Sequence, residues 1–114
     1  MRSKEFYGKL KEKMDEYVHF IYHLSRKFPK DELYGVTSQI RRATLSIILN
    51  FIEGFARRRK SVQLNFFEIS YGSLKESKYS LYLSFAKNIF QRKNIIRALK
   101  WLMKLGHAFQ LLLT

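Results

Sequence analysis

The sequence predicts an all-α protein that folds as an antiparallel up-down four-helix bundle. Apolar residues recur at alternating intervals of three and four along four segments, which places them on one side of an α-helix. Short connections separate the segments, and no alternation typical of β-strands competes with this pattern. The 114 residues are 46% hydrophobic, which suffices for one core, and no repeat or flexible linker divides the chain. We therefore expect one domain over residues 1–114.

The first helix is predicted from an apolar stripe and a proline. Its stripe consists of Leu10, Met14, Tyr17, Ile21, Leu24 and Phe28. Pro29 stops the helix because proline lacks the N–H group that an interior helical residue donates. Residues 30–35 then form a short connection to the second helix.

The second helix is predicted to begin at a cap supplied by Thr37 or Ser38, and the basic run at residues 57–60 closes it. Its core side carries Ile40, Ala43, Thr44, Ile47, Phe51 and Phe55. Further apolar residues widen this surface, namely Leu45, Ile48, Leu49, Ile52 and Ala56. A helix that is apolar over most of its circumference must be covered on more than one side. We expect another subunit to supply the second cover, and the alternative is an unusually central helix within a monomer.

The third helix is predicted to be capped by Ser61 and to carry a stripe of small residues. Its apolar side consists of Leu64, Phe67, Tyr71, Leu74, Leu81, Phe85 and Ile89, and the opposite side of Ser70, Ser73, Ser77, Ser80 and Ser84. Small side chains allow another helix to approach closely, either within the chain or from a second subunit. We assign Ser73 and Ser77 to the predicted subunit contact. The fourth helix runs from about Asn94 to the C-terminus.

Basic residues dominate the charge of the chain. Lysine and arginine outnumber aspartate and glutamate by 22 to 9, which gives a net charge of +13. Such an excess destabilises a compact chain by self-repulsion unless a polyanion binds. Nucleic acid, and RNA above all, is the polyanion that we expect. A membrane surface is disfavoured, because the apolar faces are committed to the bundle core.

The candidate nucleic-acid-binding residues fall into two main groups. The first is a stripe on the fourth helix that faces away from its apolar side, and its members are Lys93, Arg97, Lys100 and Lys104. The second is the densest basic run, which can splay toward a phosphate backbone and consists of Arg57, Arg58, Arg59 and Lys60. Arg41 and Arg42 are secondary candidates, since either can instead lie in a subunit interface.

Other classes of function are disfavoured by what the sequence lacks. The chain contains no cysteine, which excludes disulfides and thiol nucleophiles and suits a reducing compartment. No apolar run is long enough to span a membrane, so we expect a cytoplasmic protein. Asp15, His19 and His23 follow one another at four-residue spacing, but the first helix turns them toward water. We expect no enzyme activity, no cofactor and no metal, and we assign most of the aromatic residues to packing rather than to base stacking.

The centre of the sequence resembles a known family of four-helix bundles. The resemblance is carried by Phe28-Pro29-Lys30, Tyr34-Gly35, Thr37-Ser38-Gln39-Ile40-Arg41-Arg42-Ala43, Ser46-Ile47, Asn50 and Glu53-Gly54-Phe55, and more thinly by Gly72-Ser73-Leu74, Glu76, Leu81 and Ala86. The family includes proteins encoded in intervening sequences of bacterial large-subunit ribosomal RNA genes. The resemblance implies a cytoplasmic bundle that assembles as a ring-like homopentamer and binds nucleic acid.

A related branch is the accessory variability determinant of diversity-generating retroelements, a basic pentamer that works with a reverse transcriptase and its template RNA. Ile48 and Leu49 replace a proline and a small residue of the family pattern, and Lys78 replaces an acid. Residues 94–114 contain no acid, whereas the family's last helix is often acid-rich. These departures favour the retroelement-like type.

The sequence thus predicts a non-enzymatic, homo-oligomeric bundle that binds RNA or an RNA–DNA intermediate through phosphate contacts, as an accessory factor to a reverse transcriptase. Two alternatives stay open. One is a bundle protein encoded by a ribosomal RNA intervening sequence, and the other is an adaptor whose basic surface docks an acidic protein partner.

Overall fold

Four α-helices and one short 3-10 helix make up the computed structural model, which describes residues 3–89 and 91–114. The elements are α1 (Lys4–Ser25), the 3-10 helix (Lys30–Glu32), α2 (Val36–Phe55), α3 (Lys60–Ala86) and α4 (Arg92–Leu113). Contacts join α1 with α2, α2 with α3, α3 with α4 and α4 with α1, so the helices pack as a bundle. The predicted all-α class with four helices is confirmed, and the described residues contain no strand.

Contacts at the two ends of α1 show how this helix lies against α2. Tyr7 near the start of α1 packs against Phe55 at the end of α2, with 5.2 Å between ring centres. At the other end of α1, the side chain of Ser25 accepts a hydrogen bond from Arg41 near the start of α2. α1 and α2 therefore contact each other near both of their ends.

The bundle core follows the predicted apolar stripes with two exceptions. Its buried members include Leu10, Met14, Tyr17 and Ile21 of α1, Ile40, Ile47 and Phe51 of α2, Phe67, Leu74 and Leu81 of α3, and Leu102, Leu105 and Phe109 of α4. Phe55 and Phe85, which we expected on the core sides, are about half exposed. Both lie at the end of a helix, where fewer neighbouring side chains are available to cover them.

Two predicted helix caps are wrong. α2 starts at Val36 rather than at Thr37 or Ser38, and its N-cap residue is Gly35. The carboxylate of Glu32 instead accepts a hydrogen bond from the backbone N–H of Val36. A Cβ atom at Gly35 would lie 2.9 Å from Oε1 of Glu32, so glycine leaves room for this carboxylate. The carboxylate of Glu32 therefore caps α2 in place of the predicted hydroxyl of Thr37 or Ser38.

At α3, Ser61 lies within the first turn, and Arg59 is the N-cap residue in an extended conformation. Ser3, which the sequence analysis did not single out, caps α1 by accepting a hydrogen bond from the N–H of Phe6 at 3.2 Å. The end of α3 is a Schellman motif, in which Ile89 donates to the carbonyl of Ser84 and Asn88 to that of Phe85. Asn88 supplies the positive φ of 58° that this motif requires. α3 therefore ends at Ala86, and Ile89, which we assigned to its apolar side, lies three residues beyond it.

Hydrogen bonds among serine, threonine and tyrosine hydroxyls are part of the contact between α2 and α3. The hydroxyl of Ser77 lies 2.7 Å from that of Tyr17 and 2.9 Å from that of Thr44, and all three side chains are buried. Ser73 bonds to Ser46 at 2.7 Å in the same interface. Burial raises the pKa of Tyr17 well above its ordinary value, so its hydroxyl stays protonated and available as a donor. The stripe of small residues therefore serves close packing within the chain.

No helix within residues 3–89 and 91–114 combines the length and the apolar character that crossing a membrane would require.

Candidate nucleic-acid interface

The connection between α2 and α3 carries the first group of predicted site residues. α2 ends at Phe55, and the basic run follows it instead of forming its last turn. Lys60 is the first residue of α3. We call Arg57, Arg58, Arg59 and Lys60 the junction cluster, and all four residues are exposed.

Three members of the junction cluster are free of carboxylate partners. Arg57 donates to Glu53 one turn earlier, and its guanidinium carbon lies 5.2 Å from the ring centre of Phe66. Arg58, Arg59 and Lys60 form no ion pair with any described residue. Their charges are therefore available to a ligand, whereas the charge of Arg57 is partly neutralised.

The outward side of α4 carries the second group, which we call the α4 stripe and which consists of Lys93, Arg97, Lys100 and Lys104. All four residues are exposed, and the buried residues of α4 lie on its opposite side. The guanidinium of Arg97 lies over the rings of Phe20 and Trp101, at 5.2 and 5.7 Å from the ring centres. No member of the stripe forms an ion pair with a carboxylate in the part of the chain that the structure describes. The stripe is thus a row of available cations on one helix face.

Each group includes a lysine in the first turn of a helix that lacks the usual acidic residues there. The first turns of α3 and α4 contain no Asp or Glu, and the N-cap residues Arg59 and Gln91 provide no side-chain hydrogen bond. A helix start carries roughly half a positive charge, so Lys60 and Lys93 add repulsion there. A bound anion relieves this repulsion and accepts hydrogen bonds from the first N–H groups. The two helix starts therefore reinforce the attraction of the cations for phosphate.

α1 brings opposite charge close to the α4 stripe. A groove of about 660 Å³ between the two helices is lined by Asp15 and Glu16 on one side and by Lys93 and Arg97 on the other. Asp15 lies 3.5 Å from His19 and not in contact with the stripe. The acids of α1 weaken the positive potential of the stripe near Lys93 and Arg97. Among residues 3–89 and 91–114, no three His, Asp or Glu side chains are arranged to hold a metal ion.

The secondary candidates Arg41 and Arg42 differ in their surroundings. Nε of Arg41 donates to the hydroxyl of Ser25 at 2.7 Å, and its guanidinium lies 5.1 Å from the ring centre of Tyr22. Arg41 therefore joins α2 to α1. Arg42 is exposed and donates to Oε1 of Gln39 at 2.6 Å, without a carboxylate partner in the described ranges. Arg42 remains open to a ligand, whereas Arg41 is held by packing.

The predicted subunit-contact residues are divided between the surface and the interior. Leu45, Leu49 and Ile52 are exposed on one face of α2, with 53% of Leu49 accessible. Ile48 is buried within the chain at 8% exposure, and the hydroxyls of Ser73 and Ser77 are bonded within the α2–α3 interface. Assigning these three to a subunit contact is therefore corrected, because the chain itself covers them. The other three residues form an apolar surface that a neighbour can cover.

One ion pair between elements far apart in the chain had no signal in the sequence. Lys87 at the end of α3 bonds to Glu32 in the 3-10 helix, although 55 positions of chain separate them. This hydrogen bond lowers the pKa of Glu32, and the N–H of Val36 lowers it further. Periodicity along one helix contains no information about a partner on another, which is why the sequence analysis missed it.

A comparison with solved structures supports the fold. The chain is similar to the crystal structure, at 1.70 Å resolution, of a protein of unknown function from the S23 ribosomal protein family of Bacteroides thetaiotaomicron. The TM-score is 0.84 at 20% sequence identity, and the match covers 92% of this chain and 98% of that chain. The search of curated proteins gave no match. The family model of the 23S rRNA-intervening sequence protein matches residues 9–108, so the chain belongs to this family.

Proposed function

We propose that this protein is a non-enzymatic, homo-oligomeric helical bundle that binds RNA through its phosphates. The observation that carries the proposal is a set of exposed cations without carboxylate partners in the described chain, namely Arg58, Arg59 and Lys60 of the junction cluster and the four residues of the α4 stripe. Each phosphate that such a cation neutralises releases counterions, and this gives affinity with little dependence on base sequence. The net charge of +13 draws a polyanion to the protein from a distance.

The exposed face of α2 supports the homo-oligomer. Leu45, Leu49 and Ile52 are spaced so that they share one face, and an antiparallel up-down bundle leaves this face outside its core. A ring of subunits, five by the family resemblance, would cover these residues and repeat the cationic surface around the assembly. Repetition multiplies the affinity for a long polyanion, because a second contact on the same strand is intramolecular.

The family is named after an intervening sequence of 23S rRNA, and this name is compatible with an RNA ligand and with a cytoplasmic location. The partnership with a reverse transcriptase of a diversity-generating retroelement stays a prediction that rests on the resemblance. It is tested by co-purification with such an enzyme, repeated after nuclease treatment. A partner that survives the digestion favours a protein adaptor, whereas a partner that is lost favours contact through RNA.

The RNA proposal is tested by neutralising part of the junction cluster. We expect the triple variant Arg58→Gln, Arg59→Gln, Lys60→Gln to bind RNA more weakly and to stay folded, because these side chains are exposed. With about 0.7 units of slope per phosphate contact on a single strand, the plot of log affinity against log salt should become shallower by roughly 2 units. Fluorescence anisotropy with a labelled single strand measures both quantities.

The matched control removes the same charge from another helix. Lys9→Gln, Lys11→Gln, Lys13→Gln lowers the net charge equally, and these three lysines are also exposed, on α1. An equal loss of affinity in both triple variants would show that only the total charge matters and would refute the assignment of the junction cluster. An affinity for RNA that does not change with salt would refute the phosphate mechanism itself.

A further inference from the structure

Three aromatic side chains lie exposed along the second half of α3. Tyr79 and Tyr82 are 65% and 69% exposed, and Phe85 is 44% exposed. They are three residues apart, so successive rings are displaced by about 4.5 Å along the helix axis. None of them contacts another aromatic ring among the described residues. Their ring faces are therefore available to a ligand.

These rings border a groove between α3 and α4. Its first part, of about 450 Å³, is lined by the three aromatic residues and by Ile95 and Leu99 of α4. A second part, of about 370 Å³, shares Leu99 with the first and continues toward the C-terminal half of α4. We call the two parts the α3–α4 groove. It is a surface channel with an apolar floor.

Basic side chains line the α3–α4 groove. Lys75 and Lys78 line both parts and His107 lines the second, and no Asp or Glu is among the described residues that line either. Nζ of Lys75 lies 5.2 Å from the ring centre of Tyr71, so this cation is held at the edge of the channel. An anion is thus attracted into a channel that also offers apolar contacts.

The basic and apolar side chains of the groove together restrict which ligands can bind there. A ligand that uses it must carry negative charges and flat apolar faces, which unpaired nucleotides provide together. A duplex fits less well, because its bases are stacked on one another and hidden from a protein ring. A second copy of this chain has 9 acidic against 22 basic side chains, so it offers fewer partners for Lys75 and Lys78 than a polyanion does.

We propose that the α3–α4 groove binds single-stranded RNA by stacking unpaired bases on Tyr79, Tyr82 and Phe85, while Lys75 and Lys78 contact the flanking phosphates. This inference rests on the proposed function and narrows its ligand to RNA with unpaired bases. It adds a contribution from the bases to the contribution from the phosphates. The two contributions can be measured separately.

The experiment compares three probes of equal length, which are a labelled oligouridylate, a labelled abasic strand and a labelled RNA duplex. We expect the protein to bind the oligouridylate most tightly. The double variant Tyr79→Ala, Tyr82→Ala should lose about 30-fold or more in affinity for the oligouridylate, the scale of two stacked bases, and keep its affinity for the abasic strand. Alanine favours the helix at these exposed positions, so the variant should fold, which circular dichroism checks.

The matched control is Tyr34→Ala, since Tyr34 is 93% exposed, precedes α2 and is not among the described residues that line the groove. It should leave all three affinities unchanged. Equal affinity of the unaltered protein for the three probes would overturn the groove proposal and leave phosphate binding in place. Failure to bind any probe at low salt would overturn the proposed function as well. A changed native mass of the double variant, with unchanged oligouridylate affinity, would assign the groove to a subunit contact and overturn base stacking.

Discussion

The close approach of α2 to α3 at Gly54 gives a quantitative test of the packing. A Cβ atom at Gly54 would lie 2.8 Å from Cε1 and 2.9 Å from Cδ1 of Phe67, and 3.0 Å from Cβ of Phe66. The ring of Phe67 is buried and stacks on Phe51, with 5.4 Å between ring centres. It has little room to yield. Gly54→Ala must therefore displace this ring or move the two helices apart.

The size of the effect follows from two opposing terms. Inserting a methyl group into a packed interface destabilises a protein by about 1–3 kcal/mol. Replacing glycine by alanine within a helix stabilises it by up to about 1 kcal/mol. Gly72→Ala should show only the stabilisation of the helix by alanine, because a Cβ atom at Gly72 in α3 would meet no described atom within 4 Å. The difference in free energy of unfolding between the two variants, about 1–3 kcal/mol, then measures the contact at Gly54.

Urea unfolding followed by circular dichroism measures this difference. All samples need the same protein concentration, because assembly of subunits changes the apparent stability. Gly54→Ala should unfold at lower urea than the unaltered protein, and Gly72→Ala at equal or higher urea. Gly106→Ala in α4 is a second control, since its Cβ atom would also meet nothing within 4 Å. If Gly54→Ala proves as stable as Gly72→Ala, the close packing of α2 on α3 is refuted.

Two further predictions concern the polar contacts between helices. Ser77→Ala should destabilise the fold by about 1–3 kcal/mol, because it removes the buried hydroxyl that bonds to both Tyr17 and Thr44. Tyr17→Phe should cost only about 1 kcal/mol, since Ser77 still bonds to Thr44. Urea midpoints that reverse this order would contradict the network. The pKa of Glu32 is lowered by Lys87, so the pair stabilises the fold above the ordinary carboxylate pKa and loses its effect as pH falls through the lowered value. The gap in urea midpoint between the unaltered protein and Glu32→Gln should therefore be present at neutral pH and close in acid, and a gap that persists in acid would rule out the ion pair as its cause.

The periodicity of apolar residues determined which helix faces are buried. Met14, Tyr17 and Ile21 were predicted as a stripe and are fully buried. The prediction holds because a helix fixes the direction of each side chain from its position in the chain, without reference to any neighbour. The exposed cations follow from the same rule, since Lys100 and Lys104 lie opposite the apolar side of α4.

The tertiary structure decided how those faces are used. The spacing of the serines indicated close packing but did not distinguish a helix of the same chain from one of another subunit, and the bonds of Ser77 to Tyr17 and Thr44 made the distinction. Likewise, nothing in the sequence distinguished Glu32 from the other acids, whereas the structure pairs it with Lys87. The α3–α4 groove had no local signal, because residues of two different helices line it. Hydrogen bonds and grooves between helices depend on residues far apart in the chain, whereas the spacing that buries a stripe is set within a few turns.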